Sequence, residues 1–310
     1  MGRARTPRPP VKTMQLIVDS LIRAAELGLV AMGLTIVYAL VRFANIAHVE
    51  FATLGAFIAL SLAGPSTASI FGAAITGAVA VGLLAVGLQR TVFRRLLRSG
   101  STMAMIGSLA LAIILRSAIQ TVAGSRPLSF ERPLERAVQI GGAFITPLQI
   151  WLIVITALTV LAFVITLFYT KFGRTLRAVA ANPDLALASG INTEMVVDAA
   201  WLLGAGFAAL GGVLVGLDTE VSIDIGFNLL LPVFAAVILG GIGNPMGALA
   251  AALLLALAEN AVLKVDWGSL VGATSWYLPL SYEAAVGFVV LVITLLLRPQ
   301  GMFGVATRDA

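Results

Sequence analysis

The 310-residue sequence has no cysteine, one histidine (His48) and little charge, and each shortage excludes a class of protein. Without cysteine there is no disulfide, no thiolate metal site and no cysteine nucleophile. A single histidine argues against a zinc site, and we predict no metal site. Charged residues make up 11% of the chain, whereas soluble domains average about 25%. With a mean hydropathy of +1.02, the composition predicts an integral membrane protein.

Two further absences limit the chemistry. No G-x-x-x-x-G-K-[ST] loop occurs, so the chain cannot hydrolyse ATP by itself. No nucleophile–base pair or two-acid constellation is recognisable, and we predict no catalytic residue. The net charge of +5 comes from basic residues in short loops beside apolar runs, which is the positive-inside pattern of membrane proteins and does not indicate a nucleic-acid partner.

Long apolar runs without polar alternation predict an all-α, polytopic membrane protein of about eight spans, within a range of seven to nine. Short or discontinuous helices are predicted near 42–51 and 227–245. Only about 15 uncharged residues precede Arg42, about 22 Å of helix, so the first element is predicted to be discontinuous or oblique. The remaining predicted spans are 51–63, 70–88, 102–123, 147–170, 195–217, 245–263 and 277–297.

Basic loops predict the orientation. Residues 89–100 carry four arginines and 171–194 is also basic, so both are predicted as cytoplasmic loops. Counting spans back from 89–100 puts the N-terminus outside, although the tail 1–12 is itself basic, unless an early segment fails to cross. The C-terminal tail, 298–310, is polar.

The stretch "RFANIAHVEF" (42–51) places polar groups between two apolar runs. Buried ionisable groups cost about 2.5 to 3.5 kcal/mol at mid-membrane on insertion scales, so they indicate a function or a fixed hydrogen-bond role. We predict a helix break beside a solute path, with Asn45 capping the next helix, Glu50 in its first turn and His48 hydrogen-bonded. The alternatives are a buried kink remote from any path, and a proton relay through His48 and Glu50.

A second break, "GGIGNP" (240–245), interrupts an apolar run without using charge. Gly240, Gly241 and Gly243 permit close helix approach and leave backbone groups free to meet a solute. Interrupted segments in separate parts of a transporter point to its pathway. The simpler interpretation, a tight turn between two spans, is compatible with this one.

The loop 171–194 contains helix signals. Asn182 is a candidate N-cap, Pro183 follows at the first helical position, Asp184 lies in the first turn and Gly190 ends the helix. Before it, Arg174 and Arg177 share one side of a second short helix. Two helices in one basic loop predict a compact docking element; the alternative is an ordinary basic loop that happens to be helical.

Four segments carry a resemblance to a known family: "GLTIVYAL…NIAHVEF…LGAF" (33–57), "FGRTLRAVAANPDLALASGIN" (172–192), "AAVILGGIGNPMGALAAALLLALAE" (235–259) and "RPQGMFG" (298–304). In this order they resemble the branched-chain amino-acid permease subunits of bacterial ATP-binding-cassette importers, and the first of the two paired permeases more than the second. The family usually has N-F-A-H-G-E where this chain has Val49 in place of the glycine, which leaves the substrate open.

The resemblance implies a single transmembrane permease domain over 1–310 in the bacterial inner membrane. It implies a sister permease, two cytoplasmic ATPases that bind ATP and Mg²⁺, and a periplasmic or lipid-anchored binding protein, with no cofactor in this chain. The loop 171–194 would contact the ATPase through the region of Gly173, Arg174, Arg177, Asn182, Asp184 and Gly190. Asn45, His48, Glu50, Gly240, Gly241 and Gly243 would flank the pathway.

The expected function is the permease subunit of an importer for branched-chain amino acids. A urea or short-chain amide importer of the same type is an alternative. A gradient-driven transporter or channel is the alternative from another class, and vanadate-sensitive transport would discriminate it from an importer.

Overall fold

The computed structural model describes residues 13–132, 136–140, 142–270, 276–279, 282–297 and 301–303. These residues are almost entirely helical, which confirms the all-α prediction. The helices are α1 (Thr13–Val41), α2 (Glu50–Leu62), α3 (Thr67–Leu88), α4 (Arg94–Leu97), α5 (Ser101–Ala123), α6 (Pro147–Tyr169), α7 (Lys171–Ala181), α8 (Pro183–Ala188), α9 (Thr193–Asp218), α10 (Ile225–Gly240), α11 (Pro245–Lys264), α12 (Trp267–Leu270) and α13 (Glu283–Leu297). A 3₁₀ turn (Ile46–Val49) precedes α2, a π-helical segment (Gln89–Phe93) joins α3 to α4, and strands β1 (Val138–Ile140) and β2 (Ala143–Ile145) form an antiparallel hairpin.

Within the described residues, six helices are long and apolar enough to cross a membrane by length and composition. They are Met14–Val41, Thr67–Leu97, Ser101–Ala123, Pro147–Tyr169, Thr193–Asp218 and Pro245–Lys264. Three shorter apolar helices are Ile46–Leu62, Ile225–Gly240 and Ala285–Leu297. The total agrees with the prediction of about eight spans, and two of the short helices lie where short or discontinuous helices are predicted.

The first element is one uninterrupted helix of 29 residues, about 43 Å long, so the discontinuous form of the prediction is wrong, whereas the length is compatible with the oblique form. A second local prediction is also wrong. The segment 89–97 is helical rather than a loop and extends α3 beyond its predicted end.

The bundle has two chemically different ends. We call the end that carries Arg42, the 89–100 segment and the loop 171–194 the basic end. There Arg42 Nη2 donates to the Ala180 carbonyl (3.2 Å), and Arg90 Nε donates to Asp198 (2.9 Å).

The opposite end, called the far end, holds the start of α1. The Phe144 amide donates to Gln15 Oε1 (2.8 Å) there, and Lys264 pairs with Asp19. The described chain therefore begins at the end opposite the basic loops, as the predicted orientation requires. The tail 1–12 and most of the tail 298–310 lie outside the described residues.

Helix α9 occupies the centre and packs against α1, α2 and α3. Small residues allow this close approach: a Cβ on Gly204 would lie 2.7 Å from the Gly33 carbonyl oxygen. The buried Trp201 ring packs on Phe93 with ring centroids 4.9 Å apart. Helices α5 and α6 are peripheral and expose apolar side chains, which suits contact with lipid or another chain.

Candidate functional site

Helix α1 ends at Val41, and the backbone of Arg42 after it is left-handed. Its φ of 52° is the only positive φ of a non-glycine residue in the described part of the chain. The Arg42 amide donates to the Tyr38 carbonyl (2.9 Å), and its guanidinium reaches the carbonyl of Ala180 in α7. Arg42 therefore ends α1 as predicted, but its side chain satisfies the end of α7 rather than that of α1.

Asn45 does not act as predicted. It stands at the N-cap position of the 3₁₀ turn, but its side chain makes no capping hydrogen bond, although it is fully buried. The Asn45 backbone carbonyl accepts from the His48 amide (3.2 Å), and the Ile46 amide donates to Ser108 Oγ (3.0 Å). Ser108 on α5 thus takes the capping role; the only sequence signal for it is a small polar residue inside an apolar span.

His48 is fully buried, and its ring packs edge-on against Phe51 with centroids 5.9 Å apart. A Cβ on Gly33 would lie 3.1 Å from His48 Nε2, so the ring fills space that a glycine leaves open. The ring interacts with the backbone of Val30 in α1, although neither nitrogen reaches strict hydrogen-bonding geometry. The predicted contact with the backbone of the preceding element is therefore present in this looser form, and no hydrogen bond joins His48 to Glu50.

Glu50 is the first residue of α2 and is buried, as predicted. Helix α10 begins against the same point: the Gly226 amide donates to Thr53 Oγ1 (2.8 Å), and a Cβ on Gly226 would lie 3.0 Å from Glu50 Oε2. Two short helices thus start side by side within the bundle. An acid at this position is favourable because both helix N-termini carry partial positive charge.

The second break forms a glycine hairpin between α10 and α11. Gly241 and Gly243 have φ values of 91° and 88°, which L side chains rarely adopt. Gly240 packs directly on the backbone of Gly247, and Asn244 caps α11 by accepting from the Gly247 amide (3.1 Å). The tight-turn interpretation is correct; the proximity of a pathway stays a prediction.

A cavity of about 260 Å³ at the basic end brings the two breaks together. Arg42, Phe43 and Ala44 line it from the first break, and Ile242 lines it from the second. The other lining residues come from α1, α5 and α10: Leu34, Tyr38, Ser101, Thr102, Met105, Phe234, Val237 and Ile238. None of the six predicted pathway residues lines the cavity itself; Asn45, Gly241 and Gly243 are next in sequence to residues that do.

A larger cavity of about 820 Å³ opens at the far end, where no site was predicted. Arg23, Glu220 and Glu283 line it together with polar Thr219, Ser222 and Asn228 and a stretch of α10 from Leu229 to Pro232. Helix α10 therefore lines both cavities: its first half faces the far-end cavity and its second half the basic-end cavity. Pro232, which lies inside α10, marks the boundary between them.

The loop 171–194 has the predicted two helices. Asn182 Oδ1 accepts from the Leu185 amide (2.9 Å), Pro183 and Asp184 begin α8, and Gly190 follows it with a φ of 82°. We call α7 and α8 together the knob. Its capping pattern is confirmed in detail.

The two arginines of the knob differ. Arg177 Nη1 donates to the Leu167 carbonyl, and its guanidinium lies 5.5 Å from the centre of the Phe168 ring, so it holds α7 onto the end of α6. Arg174 is exposed. Gly173 is buried against the Leu167 carbonyl, where any side chain would collide. Arg177 and Gly173 thus maintain the fold of the knob, and Arg174 is the residue of the three that is placed to meet another molecule.

No group of three or more His, Asp or Glu side chains in the described part of the chain is arranged to hold a metal ion.

Comparison with known proteins identifies the family. Residues 16–295 match the family described as the permease component of the branched-chain amino acid transport system. The high-affinity branched-chain amino acid transport system permease protein LivH of Escherichia coli (strain K12) is 29% identical over 305 residues, covering 94% of this chain and 95% of LivH. BraD of Pseudomonas aeruginosa, of the same description, is 28% identical over the same shares of both chains.

A probable branched-chain amino acid transport permease protein LivH of Methanocaldococcus jannaschii is 25% identical over 94% of this chain and 92% of its own. Among solved structures, one described as PsaBC from Streptococcus pneumoniae in complex with Fab aligns with 91% of both chains at 19% identity, with a TM-score of 0.46. Because the family match spans nearly the whole sequence, the chain belongs to the branched-chain amino acid transport permease family.

Proposed function

We propose that this chain forms one half of the solute path of an ATP-binding-cassette importer and carries branched-chain amino acids. The family makes it a multi-pass membrane transport subunit rather than an enzyme. The substrate is taken from the names of LivH and BraD. The single observation that supports a transport path within the described structure is that α10 lines a cavity at each end of the bundle.

Helix α10 is suited to open a solute path to one end of the bundle and then to the other. Proline removes a hydrogen bond and allows a helix to bend, and Pro232 lies between the two cavity-lining halves. The wall that α10 offers is mainly aliphatic, which suits a branched hydrocarbon side chain. Asn45, His48, Glu50, Gly240, Gly241 and Gly243 then flank the path, fixing the ends of the two short helices that bound it.

The knob is the proposed contact with the ATPase. The basic end is assigned to the cytoplasm by its arginines. Leu185 and Leu187 on α8 are 64% and 61% exposed, on a short helix outside the apolar spans. Exposed apolar side chains beside Arg174 and Asp184 are typical of a surface that another protein covers.

The remaining partners follow from the importer type. A sister permease would complete the path, two ATPase chains would bind ATP and Mg²⁺, and a periplasmic or lipid-anchored binding protein would deliver the solute. Membrane lipid surrounds the peripheral helices α5 and α6. ATP and Mg²⁺ would therefore be bound by partner chains, and we propose no nucleic-acid partner.

The gradient-driven alternative gains no support from the central residues. A proton relay needs hydrogen-bonded steps between its groups, and no hydrogen bond joins His48 to Glu50 in the described structure. We therefore propose that these residues fix the helix break and do not conduct protons.

Uptake by a reconstituted complex tests the function. The chain is co-expressed with a candidate sister permease, ATPase and binding protein from the same organism, and uptake of L-leucine and of urea into proteoliposomes is measured with ATP inside. We expect leucine uptake that needs ATP and the binding protein and that vanadate abolishes. Uptake without ATP, driven by a proton gradient, would overturn the importer assignment, and uptake of urea alone would overturn the substrate.

A further inference from the structure

The far-end cavity combines charge with an apolar wall. Arg23, Glu220 and Glu283 line it on one side, and Leu230, Leu231 and Pro232 of α10 line it on the other. Its volume of about 820 Å³ exceeds what an amino acid needs. It lies at the end that is opposite the basic loops, where a solute from outside would arrive.

Behind the cavity, one arginine forms ion pairs with three carboxylates from three helices. Arg23 Nε lies 2.9 Å from Glu283 Oε1 and 3.4 Å from Glu259 Oε2, and Arg23 Nη1 lies 3.3 Å from Glu26 Oε2. The Glu26 and Glu259 side chains are almost completely buried, whereas the Glu283 side chain is 29% exposed. The cluster thus has two inner carboxylates and one that faces the cavity.

Burial favours the neutral form of Glu26 and Glu259, so Arg23 is offset mainly by Glu283, the carboxylate that faces the cavity. Around the cluster, Lys264 is paired with Asp19, and Glu220 adds a further acid at the cavity. Glu259 Oε1 is buried and accepts no hydrogen bond from the described residues. Glu220 has no ion-pair partner among the described residues, so the cavity surface favours an added cation.

We propose that the far-end cavity is an entry site for the α-ammonium group of the solute. The ammonium binds Glu283 and Glu220 at the cavity surface, and the aliphatic side chain lies against Leu230, Leu231 and Pro232. Arg23 is a positioning residue: it holds Glu283 towards the cavity. This inference rests on the proposed function and specifies which part of the solute this chain recognises.

A substitution that removes the charge of Glu283 but keeps its shape tests the site. Glu283→Gln keeps the size of the side chain and removes the ammonium partner, and Glu131→Gln, an exposed far-end glutamate that does not line the cavity, is the matched control. We expect leucine uptake to fall at least about tenfold in Glu283→Gln while binding-protein-stimulated ATP hydrolysis and complex yield stay near wild type. The control should lie within about twofold of wild type. Normal uptake by Glu283→Gln, or a parallel loss of ATP hydrolysis and yield, would overturn the proposal.

The absence of cysteine allows a direct binding measurement. Ser222→Cys introduces the only thiol of this chain, at the cavity wall, and its labelling by a membrane-impermeant maleimide is followed in the full complex with any partner cysteines removed. We expect L-leucine to slow the labelling, and 4-methylpentanoate, which lacks the amino group, to leave it unchanged. The protection should disappear when Glu283→Gln is added. Equal protection by both compounds would show that the ammonium is not recognised.

The outcomes separate this inference from the proposed function. If the complex imports leucine with ATP but Glu283→Gln behaves like Glu131→Gln, the entry site is wrong and the function stands. If the complex imports no branched-chain amino acid, the proposed function fails first. Protection of Ser222→Cys by leucine would then still report an amino-acid site in this chain.

Discussion

The two ends of the bundle differ in how far apart in sequence their partners lie. The basic end combines caps that span three residues, Asn182 on α8 and Asn244 on α11, with ion pairs such as Arg90 with Asp198, 108 residues apart. At the far end, ion pairs join residues that are far apart in sequence: Arg23 with Glu259 and Asp19 with Lys264, separated by 236 and 245 positions. Local signals can be recognised in one sequence, whereas partners more than two hundred residues apart cannot be matched without the fold.

The largest expected effect concerns the backbone of the basic end. Gly240→Leu places a side chain on the Gly247 backbone, where no space exists, so the hairpin of α10 and α11 cannot close. We expect almost no folded complex by fluorescence-detected size-exclusion chromatography. Gly87→Leu in α3 is the control, because a Cβ there meets nothing within 4 Å. A normal yield of Gly240→Leu would contradict the packing of this end.

The next effect concerns the far end. Arg23→Met leaves Glu26, Glu259 and Glu283 without their shared cation, and removing one partner of a buried ion pair costs about 3–5 kcal/mol. Lys264→Met breaks a more exposed pair with Asp19, for which we expect about 1 kcal/mol or less. Thermal stability of the purified complex should fall clearly for the first variant and little for the second. Equal losses would show that burial does not distinguish the two pairs.

What the sequence could predict follows the same division between local and long-range contacts. The helix content, the two short helices and the caps of the knob were predictable because apolar run length, Asn-Pro and glycine positions act locally. The continuity of α1 was not predictable. Its charged residues suggested a helix start at the membrane interface, and the partners of Arg23, Glu259 and Glu283, are distant in sequence. The far-end cavity was missed for the same reason.

The first break shows where local signals mislead. An asparagine before a helical turn predicts a side-chain cap, but the Ile46 amide binds Ser108, 62 residues away, and Asn45 is left without that role. Tertiary packing decided which hydroxyl or amide reaches the free backbone group. None of the six predicted pathway residues lines either cavity, and the lining residues had to come from the structure.

A smaller effect is expected at the cap of the knob. Asn182→Ala removes the hydrogen bond to the Leu185 amide and should cost about 1 kcal/mol, loosening α8 without unfolding the bundle. We expect uptake per ATP hydrolysed to fall while yield is unchanged, and hydrogen exchange in α8 to become faster. Asn182→Asp keeps a side-chain acceptor and should restore both. Faster exchange in α8 with unaltered coupling would show that the knob does not transmit the ATPase stroke.

The smallest effect is expected midway between the ends, at His48. The ring is fully buried against Phe51 and contacts the backbone of Val30 rather than a titratable side chain, so we expect it to fill space and not to conduct protons. Glutamine is close in length and cannot titrate. His48→Gln should therefore retain uptake within about twofold, with an unchanged pH profile between about pH 5 and 8, where a histidine relay would titrate.

His48→Leu, which keeps an apolar bulk, controls for packing and should behave similarly. If both variants abolish uptake and His48→Gln also removes a pH-dependent limb, then proton conduction through the centre is needed. In that case the hydrogen bonds of the basic end and the ion pairs of the far end would not be enough to explain how the two ends are coupled during transport.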